Sequence, residues 1–521
     1  MYVKRDNFVT DLNTYIQSKT TKTIEELQDS DNHDYEAPAL IQVAALINAQ
    51  PADQPIVVVG DFDCDGLMAL AEFATLLRAL QKKFFLIVPK RFSEGYGFSE
   101  KILERIPDNS LVITVDNGIT AVDTIAAART RGMRVIIMDH HKNDGDLPNA
   151  NLILDPIVDQ TGFEFKHYCG AGLTYKLSQI MLKDKPYVLN QILCYAAIAT
   201  VADVVQLTQD NRNIVRKGIT LINNQMSSPG LNYLIGLLVG EAIEASDIAF
   251  KIAPAINAPG RLVDNGGELV LRCVLALHDY EVHATAIKNY NNQRQRLTKE
   301  AVEAATVVGT NLCYSRVPGL CEGLCGIVAN KIAQTNKKPT LVTTLTDDGE
   351  TIKGSARSYA EESVHDILQS AENLFEAFGG HEKAAGLAFK LQNEDAILRT
   401  IDAAAAGIAH IDANTDFYDF EVAYADVFNM YQQLDTLKPF GVGLENPLIK
   451  ITIPVDRADF IGSDHNTLRF PNQRMTFIGF SMGETYVNLG RPNQVTLYGH
   501  YASNHYKGRV TPQFVFEALE V

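Results

Sequence analysis

The chain has 521 residues, 46% of them apolar, and a formal net charge of -17. That length supports several separately cored domains, and no apolar run approaches a membrane span. The acidic excess argues against a chain coated in cations for nucleic acid, although it leaves room for a local basic groove.

Seven scattered cysteines do not form a disulfide framework. The polar start MYVKRDNFVTDLNT lacks a signal-peptide pattern, so the expected compartment is the cytoplasm. Residues 1–54 read as a mainly helical lead-in, with a polar stretch around Gln28 to Glu36 before the helical pattern ALIQVAALINA. No chemistry is evident in it.

From Ile56 the texture changes. IVVV runs into GDFDCDG, a helix is predicted from about Leu67 to Gln81, and FFLIV follows at Phe84 to Val88. Strands alternating with helices predict a buried parallel sheet. Asp61, Asp63 and Asp65 then fall beyond the carboxyl end of a strand, where ligands collect in open α/β sheets. Like charges crowded there cost energy unless cations sit among them, which points to a hard-metal site. The plainer alternative is an Asp-rich turn that caps the next helix.

LVITV from Leu111 ends in Asp116, Asn117 and Gly118, a helix follows to about Arg131, and VIIM from Val135 ends in Asp139, His140 and His141. Three strands ending in acids or imidazoles would line one sheet edge, and such mixed ligands suit manganese or a similar ion in a two-metal centre. Asp203, in IATVADVVQLTQDNR, follows an apolar helical stretch that begins near Gln191. It is either a paired structural residue or a ligand reaching into the site, and the cost of burying a carboxylate favours the first.

The polar, helix-forming stretch from about Asp279 to Val308 reads as a connector. Cys321 and Cys325 make a CEGLC pair with no second pair at zinc-ligand spacing. Gly379 to His381 form a glycine-rich loop where backbone can approach a phosphate. After Pro439, the short runs ITIPV, TLRF, MTFIGF, VTLYGHYA and QFVFEAL predict a small barrel. From Ile451 to Val521, six Lys plus Arg balance six Asp plus Glu. There Tyr498, His500, Tyr501, His505, Tyr506, Lys507 and Arg509 suit stacking on bases and contact with phosphates, or are simply core and rim.

GDFDCDG, VDNG, DHH and ATVADVVQL, in that order, resemble the four motifs of the DHH phosphoesterase superfamily. RFSEGYGFS, CGAGLTYKL, INAPGRL, GIVANKIA, KGSARS, FGGHEKAAG and KPFGVGLENP extend the resemblance to the RecJ-type single-strand-specific exonucleases over nearly everything after about residue 38. The resemblance implies an α/β chain with a parallel-sheet DHH domain over 55–278 and a connecting helix over 279–308. A DHHA1-type α/β domain over 309–410 and a C-terminal β-barrel (OB-fold) over 411–521 would follow.

It also implies removal of 5′-mononucleotides from the 5′ end of single-stranded DNA, in repair and recombination, with two divalent cations, Mn2+ preferred and Mg2+ the alternative. Asp63, Asp65, Asp116, His140 and Asp203 would be ligands, Asp116 the bridge, and Asp61 a ligand or close behind one. Asp139 would orient an imidazole, and His141 would serve a non-bridging oxygen or a proton transfer. Arg91, Ser355 and Arg357 would form a 5′-phosphate pocket, Arg261 and His381 would lie against the backbone near the cut, and Gly379 and Gly380 would admit it closely.

The partners implied are a single-strand-binding protein and a helicase, with the chain a monomer. Some residues depart from the pattern: Ala255 stands where a cation is usual, GVGLENP replaces the commoner GQGNPEP, and there is no Trp. The alternatives are a DHH phosphodiesterase acting on oligoribonucleotides or cyclic dinucleotides, and a non-catalytic replisome scaffold. The C-terminal domain counts against the first, and four intact motifs count against the second.

Overall fold

A computed structural model describes every residue except 1, 5–10, 21–22, 24–26, 28–35, 52–53, 144, 159–160, 241, 360–361, 408–415, 463–464 and 507–508. Strand β1 (Tyr2–Lys4) pairs in parallel with a strand more than four hundred positions away, β12 (Asp416–Tyr418). Five strands follow β1: β2 (Ile56–Val59), β3 (Phe84–Ile87), β4 (Leu111–Val115), β5 (Arg134–Met138) and β6 (Leu152–Leu154). They form one all-parallel sheet in the order β3-β2-β4-β5-β6.

Strands β2 and β4 are wholly buried, because Ile56 and Val58 pack into one apolar layer while Val57 and Val59 pack into another. Burial on both faces is why these strands read as unbroken β-branched runs. The chain leaves β2 for β3 on one side and then crosses to β4 on the other. The order therefore reverses between β2 and β4, which opens a crevice beyond their carboxyl ends. Helices Gly170–Met181, Pro186–Ala202 and Gln209–Asn223 pack against the helix that follows β2 or against one another.

A 25-residue helix, Tyr280–Ala304, leads into a second sheet. Its strands are β7 (Cys313–Arg316), β8 (Thr340–Leu345), β9 (Thr351–Arg357), β10 (Ala377–His381) and β11 (Ala384–Lys390), in the order β10-β11-β9-β8-β7. Only β7 and β8 run parallel. The C-terminal strands are β13 (Phe420–Val422), β14 (Ile449–Pro454), β15 (Asp459–Ile461), β16 (Thr467–Pro471), β17 (Thr476–Gly479), β18 (Gln494–Tyr506) and β19 (Arg509–Glu520). Their order is β13-β14-β18-β19-β17-β16-β15 around a core that includes Phe470, Phe477, Phe514 and Phe516. No pairing among the described residues closes this order into a ring.

The lead-in does not behave as one unit. Helix Pro38–Ala49 buries Leu40, Val43 and Ile47 in the first domain, whereas helix Leu12–Lys19 buries Leu12, Tyr15 and Ile16 in the C-terminal core, together with Leu27. A stripe at i, i+3 and i+4 must find an apolar partner, but the pattern alone does not say which. Of the polar stretch from Gln28, residues 28–35 lie outside the described residues. No helix among the described residues is long and apolar enough to cross a membrane.

Candidate active site

The helix after β2 begins at Cys64 rather than near Leu67, because Asp63 is its N-cap and accepts the Gly66 N–H at 3.2 Å. The cap does not exclude a metal ligand, because a carboxylate has two oxygens and the cap uses one. Asp65, in the first turn, accepts Gly170 N at 2.6 Å and Ala171 N at 2.9 Å from the start of helix Gly170–Met181. Asp116 adopts a left-handed φ of 61°, a conformation Asp tolerates better than most side chains. It sits so close to Gly170 that a Cβ there would lie 2.7 Å from the Asp116 Cβ.

The sequence-predicted acids converge in this crevice. Ligand atoms of Asp61, Asp63 and Asp116 lie within 4.8 Å of one another, as do those of Asp65, His140 and Asp203, and those of Asp116, His140 and His141. Asp203 thus joins the site from the C-cap of helix Pro186–Ala202, against the structural expectation for that residue. His140 Nε2 is 3.1 Å from Asp116 Oδ1, 3.6 Å from Asp203 Oδ2 and 3.7 Å from Asp65 Oδ2.

Burial, and then the charges of neighbouring aspartates, raise the carboxyl pKa values of Asp61, Asp63, Asp116 and Asp203 above the ordinary range. Asp61 Oδ1 is buried with no hydrogen-bond partner. Burial, and then the charge of His141, push the His140 pKa down and favour a neutral ring with a lone pair to give. Hard oxygens that repel one another, one orphaned oxygen and a neutral imidazole fit divalent cations of the manganese type.

Asp139 pairs with His141 rather than His140: its Oδ1 lies 2.7 Å from His141 Nδ1. It also accepts His140 N at 2.8 Å and, through Oδ2, Ile119 N at 3.0 Å. Burial opposes ionisation of both partners. Their contact outweighs it, lowering Asp139 and lifting His141 to about 9. Tyr96 stands edge-on to Phe62 and to His141, at 6.2 and 6.4 Å between ring centroids. The sequence reading assigned it no role, although it lies inside RFSEGYGFS.

Three arginines cluster beside this centre: Arg91 acts on Asp61, Arg261 on Asp63, and Arg357 lies near Arg261. The Arg91 guanidinium lies over the Phe62 ring at 4.8 Å, and its loop is held by Asp264, which accepts Phe92 N at 2.9 Å and Ser93 N at 3.3 Å. Asp264 was also missed; the available signal was its place three residues after Arg261. Arg357 Nη1 donates to Ser355 Oγ at 2.7 Å. Arg261 Nη1 donates to Gly323 O at 3.3 Å, and Cys321 Sγ donates to Arg261 O at 3.2 Å. The CEGLC turn therefore clamps Arg261, and no cysteine belongs to a metal-holding group among the described residues.

Burial, and then the charge of Arg91, lower the Arg261 guanidinium to about 10 and lower Arg357 in the same way. Among the described residues, none of the three makes an ion pair with a carboxylate. Mutually repelling, unpaired arginines are the signature of an anion site. His381 is exposed in edge strand β10 with Gly379 and Gly380. Partial desolvation of its ring, and then the charges of Arg357 and His141, lower its imidazole, which ties it electrostatically to both clusters.

The C-terminal aromatics depart from the expected surface. Tyr498 and Tyr501 are each 3% exposed; Tyr501 packs edge-on against Phe514 at 5.2 Å, and the Tyr498 hydroxyl donates to Glu520 at 3.0 Å. Both are buried, but on opposite faces of β18: Tyr501 joins the main apolar core with Phe514, whereas Tyr498 packs in a smaller cluster with Tyr418 and Leu448. His500 turns its Nδ1 to Pro447 O at 2.9 Å. Arg509 is exposed, and Lys507 and the side chains of His505 and Tyr506 lie outside the described residues.

Comparison with known proteins matches the model of the DHH family N-terminal domain over residues 55–200, that of the DHHA1 domain over 309–407 and that of the RecJ OB domain over 418–518. The single-stranded-DNA-specific exonuclease RecJ of Bacillus subtilis is 28% identical, covering 95% of this chain and 65% of its own length. The protein of the same name from Salmonella typhimurium is 31% identical, over 67% of this chain and 66% of its own. The chain thus spans just under two thirds of the length of these relatives. The crystal structure of RecJ in complex with Mn2+ from Thermus thermophilus superposes with a TM-score of 0.80 at 25% identity, over 97% of this chain and 75% of that one. With all three models matched in order on one polypeptide, and a superposition that takes in 97% of the chain, the chain belongs to the RecJ type of the DHH/DHHA1 family.

Proposed function

We propose that this chain is a metal-dependent exonuclease that degrades single-stranded DNA from the 5′ end to 5′-mononucleotides by two-metal hydrolysis, in DNA repair and recombination. The observation that carries the reading is one crevice with an acidic, imidazole-bearing wall beside three arginines that, among the described residues, make no ion pair with a carboxylate. A phosphodiester needs both walls: one for its cations, the other for its charge.

Asp61, Asp63, Asp65, Asp116, His140 and Asp203 would hold two divalent cations, Mn2+ preferred and Mg2+ accepted. Asp116 as the bridge is supported by its presence in two of the three ligand groups. When bound, such cations supply a nucleophile at neutral pH and offset charge developing on the phosphoryl oxygens. Asp139 fixes His141 through Nδ1 and leaves Nε2 to donate to a non-bridging oxygen or to move a proton.

Arg91, Ser355 and Arg357 grip the 5′-phosphate, Arg being suited by its planar fork. The start of helix Cys325–Asn336 supports this assignment, since a Cβ on Gly326 would lie 2.4 Å from Arg357 Nη2 and 3.2 Å from Ser355 Oγ. A helix N-terminus adds N–H donors and a favourable dipole for an anion. Arg261 and His381 hold the backbone near the cut, and Gly379 and Gly380 keep that side free of bulk.

The domain division in this reading is a lead-in over 1–54 and then 55–278, 279–308, 309–410 and 411–521, with Leu12, Tyr15, Ile16 and Leu27 of the lead-in packing into the core of the last. The reading extends to a cytoplasmic monomer working beside a helicase and a single-strand-binding protein, which size-exclusion chromatography and capture on coated DNA would test. The primary test is degradation of single-stranded DNA labelled at either end, with Mn2+, with Mg2+ and with chelator, beside the same sequence as duplex and as RNA. Metal-dependent release of mononucleotides from the 5′ end of the single strand is the expected result. Equal cleavage of short RNA would move the assignment to an oligoribonucleotide phosphodiesterase.

A further inference from the structure

Arg212 is 1% exposed and among the largest fully buried side chains of the molecule. It rises from the first turn of helix Gln209–Asn223 in the first domain, yet its donors serve other parts of the chain. Nε donates to Leu27 O at 3.1 Å, Nη1 to Pro439 O at 2.6 Å, and Nη2 to Leu437 O and, at 3.4 Å, to Lys438 O. Every acceptor is a main-chain carbonyl. Leu27 belongs to the N-terminal segment buried in the C-terminal core, and residues 437–439 lead into strand β14.

The same linker is held at two further points. Lys438 Nζ bridges Glu244 of the first domain, at 2.7 Å, and Ser503 of the C-terminal sheet, at 2.7 Å. Leu207 N donates to Val442 O at 2.7 Å, and Gly441 lies so near that a Cβ there would come within 2.9 Å of Leu207 Cδ2. A linker fixed this way is no free tether, since buried carbonyls deprived of their donor are costly to leave unpaired.

We infer that Arg212 is a positioning residue: by gripping both the N-terminal segment and the 437–439 linker, it seats the C-terminal domain at one angle against the catalytic crevice. A strand leaving the crevice then meets the C-terminal surface in a constant register. The inference rests on the proposed single-strand substrate. Arg212 touches no substrate, so it acts on how much binding a long strand gains and not on the cleavage step.

The test uses full-length protein and 5′-phosphorylated oligo(dT) from about 4 to about 30 nucleotides, a range that brackets the site size of an OB-fold. For the native protein KM should fall roughly tenfold or more between the shortest and longest strands. In Arg212→Met that fall should shrink below about threefold, with kcat on the shortest strand kept within about twofold. Arg212→Lys should lie between, because one ammonium reaches fewer carbonyls. A length dependence in Arg212→Met equal to that of the native protein would overturn the inference.

If Arg212→Met does not yield folded protein, Lys438→Met loosens the same linker at its edge and must reduce the length dependence in the same direction; an unchanged dependence there also overturns the inference. Small-angle scattering separates the two readings. A native protein whose KM ignores strand length contradicts the strand-binding role of the C-terminal domain, whereas a radius of gyration unchanged by Arg212→Met contradicts the seat itself.

Discussion

The crevice of the first domain and the C-terminal sheet were built by opposite means. In the crevice, polar groups sit where burial makes them costly: Asp61, Asp65, Asp116 and Asp139 are each less than 5% exposed. In the C-terminal sheet the groups with the chemical look of a binding surface, Tyr498 and Tyr501, went into the core. The difference shows that unfavourable placement is the better marker of a site. A carboxylate held among carboxylates has to be explained by a ligand, whereas a tyrosine in a strand is already explained by packing.

Substitutions can break this comparison, and the largest effect belongs to the crevice. Asp116→Ala should lower hydrolysis by about 10³-fold or more, while binding of a labelled strand in chelator stays within about threefold of the native protein. Loss of binding in parallel with activity would mean that Asp116 supports the fold and not the reaction. Next comes the arginine wall. Arg357→Ala should reduce the preference for 5′-phosphorylated over 5′-hydroxyl DNA by roughly 30-fold, the worth of about 2 kcal/mol for charged hydrogen bonds. Competition between the two substrates measures this directly, and an intact preference removes Arg357 from the pocket.

Glu72 tests whether the crevice taxes stability. It is 0% exposed on the helix that starts at Cys64, and neither carboxyl oxygen has a hydrogen-bond partner. Burial, and then the charge of Asp65, raise its pKa well above 4.5. The folded state therefore retains a proton that the unfolded chain releases, and Glu72 costs more stability as pH rises above the unfolded value. Glu72→Gln should stabilise by about 1–3 kcal/mol near neutral pH, and by less near pH 5. Urea unfolding at both pH values checks the sign; a gain that is larger in acid contradicts it.

The smallest effect is expected in the sheet. The Tyr501 hydroxyl is buried without a partner, so Tyr501→Phe should leave strand affinity within about twofold and raise the melting temperature by a few degrees. A substantial loss of affinity would restore the aromatic as a binding platform.

Much of the crevice could be read in the chain because strand periodicity and motif position report where a residue lies along an element. Asp63, Asp116 and His140 follow strands, and a parallel sheet gathers such ends at one edge. Their supports were not readable. Asp264 holds the Arg91 loop from 171 positions away, and Cys321 reaches Arg261 across 60, contacts that no local pattern encodes. The fold class and the β-rich character of the C-terminal domain were legible in the same local way. The order of its strands was not, since β17 lies beside β19 in parallel and β18 on its other side. The destination of Leu12, Tyr15 and Ile16 also escaped, because an apolar stripe fits any core.

That destination constrains how the protein is made. The Tyr15 hydroxyl donates to Glu445 O across 430 positions, so the residues around it leave the ribosome long before their partners do. At the usual pace of synthesis, they wait roughly 20 to 90 s before the strands that bury them exist. During that interval the crevice domain gains everything its own core requires, while the apolar stripe of a short helix stays uncovered and open to chaperones. A segment translated late completes one translated early, and a ribosome that stalls before Ile449 would leave a chain whose crevice domain has its core while Leu12, Tyr15 and Ile16 have nowhere to go.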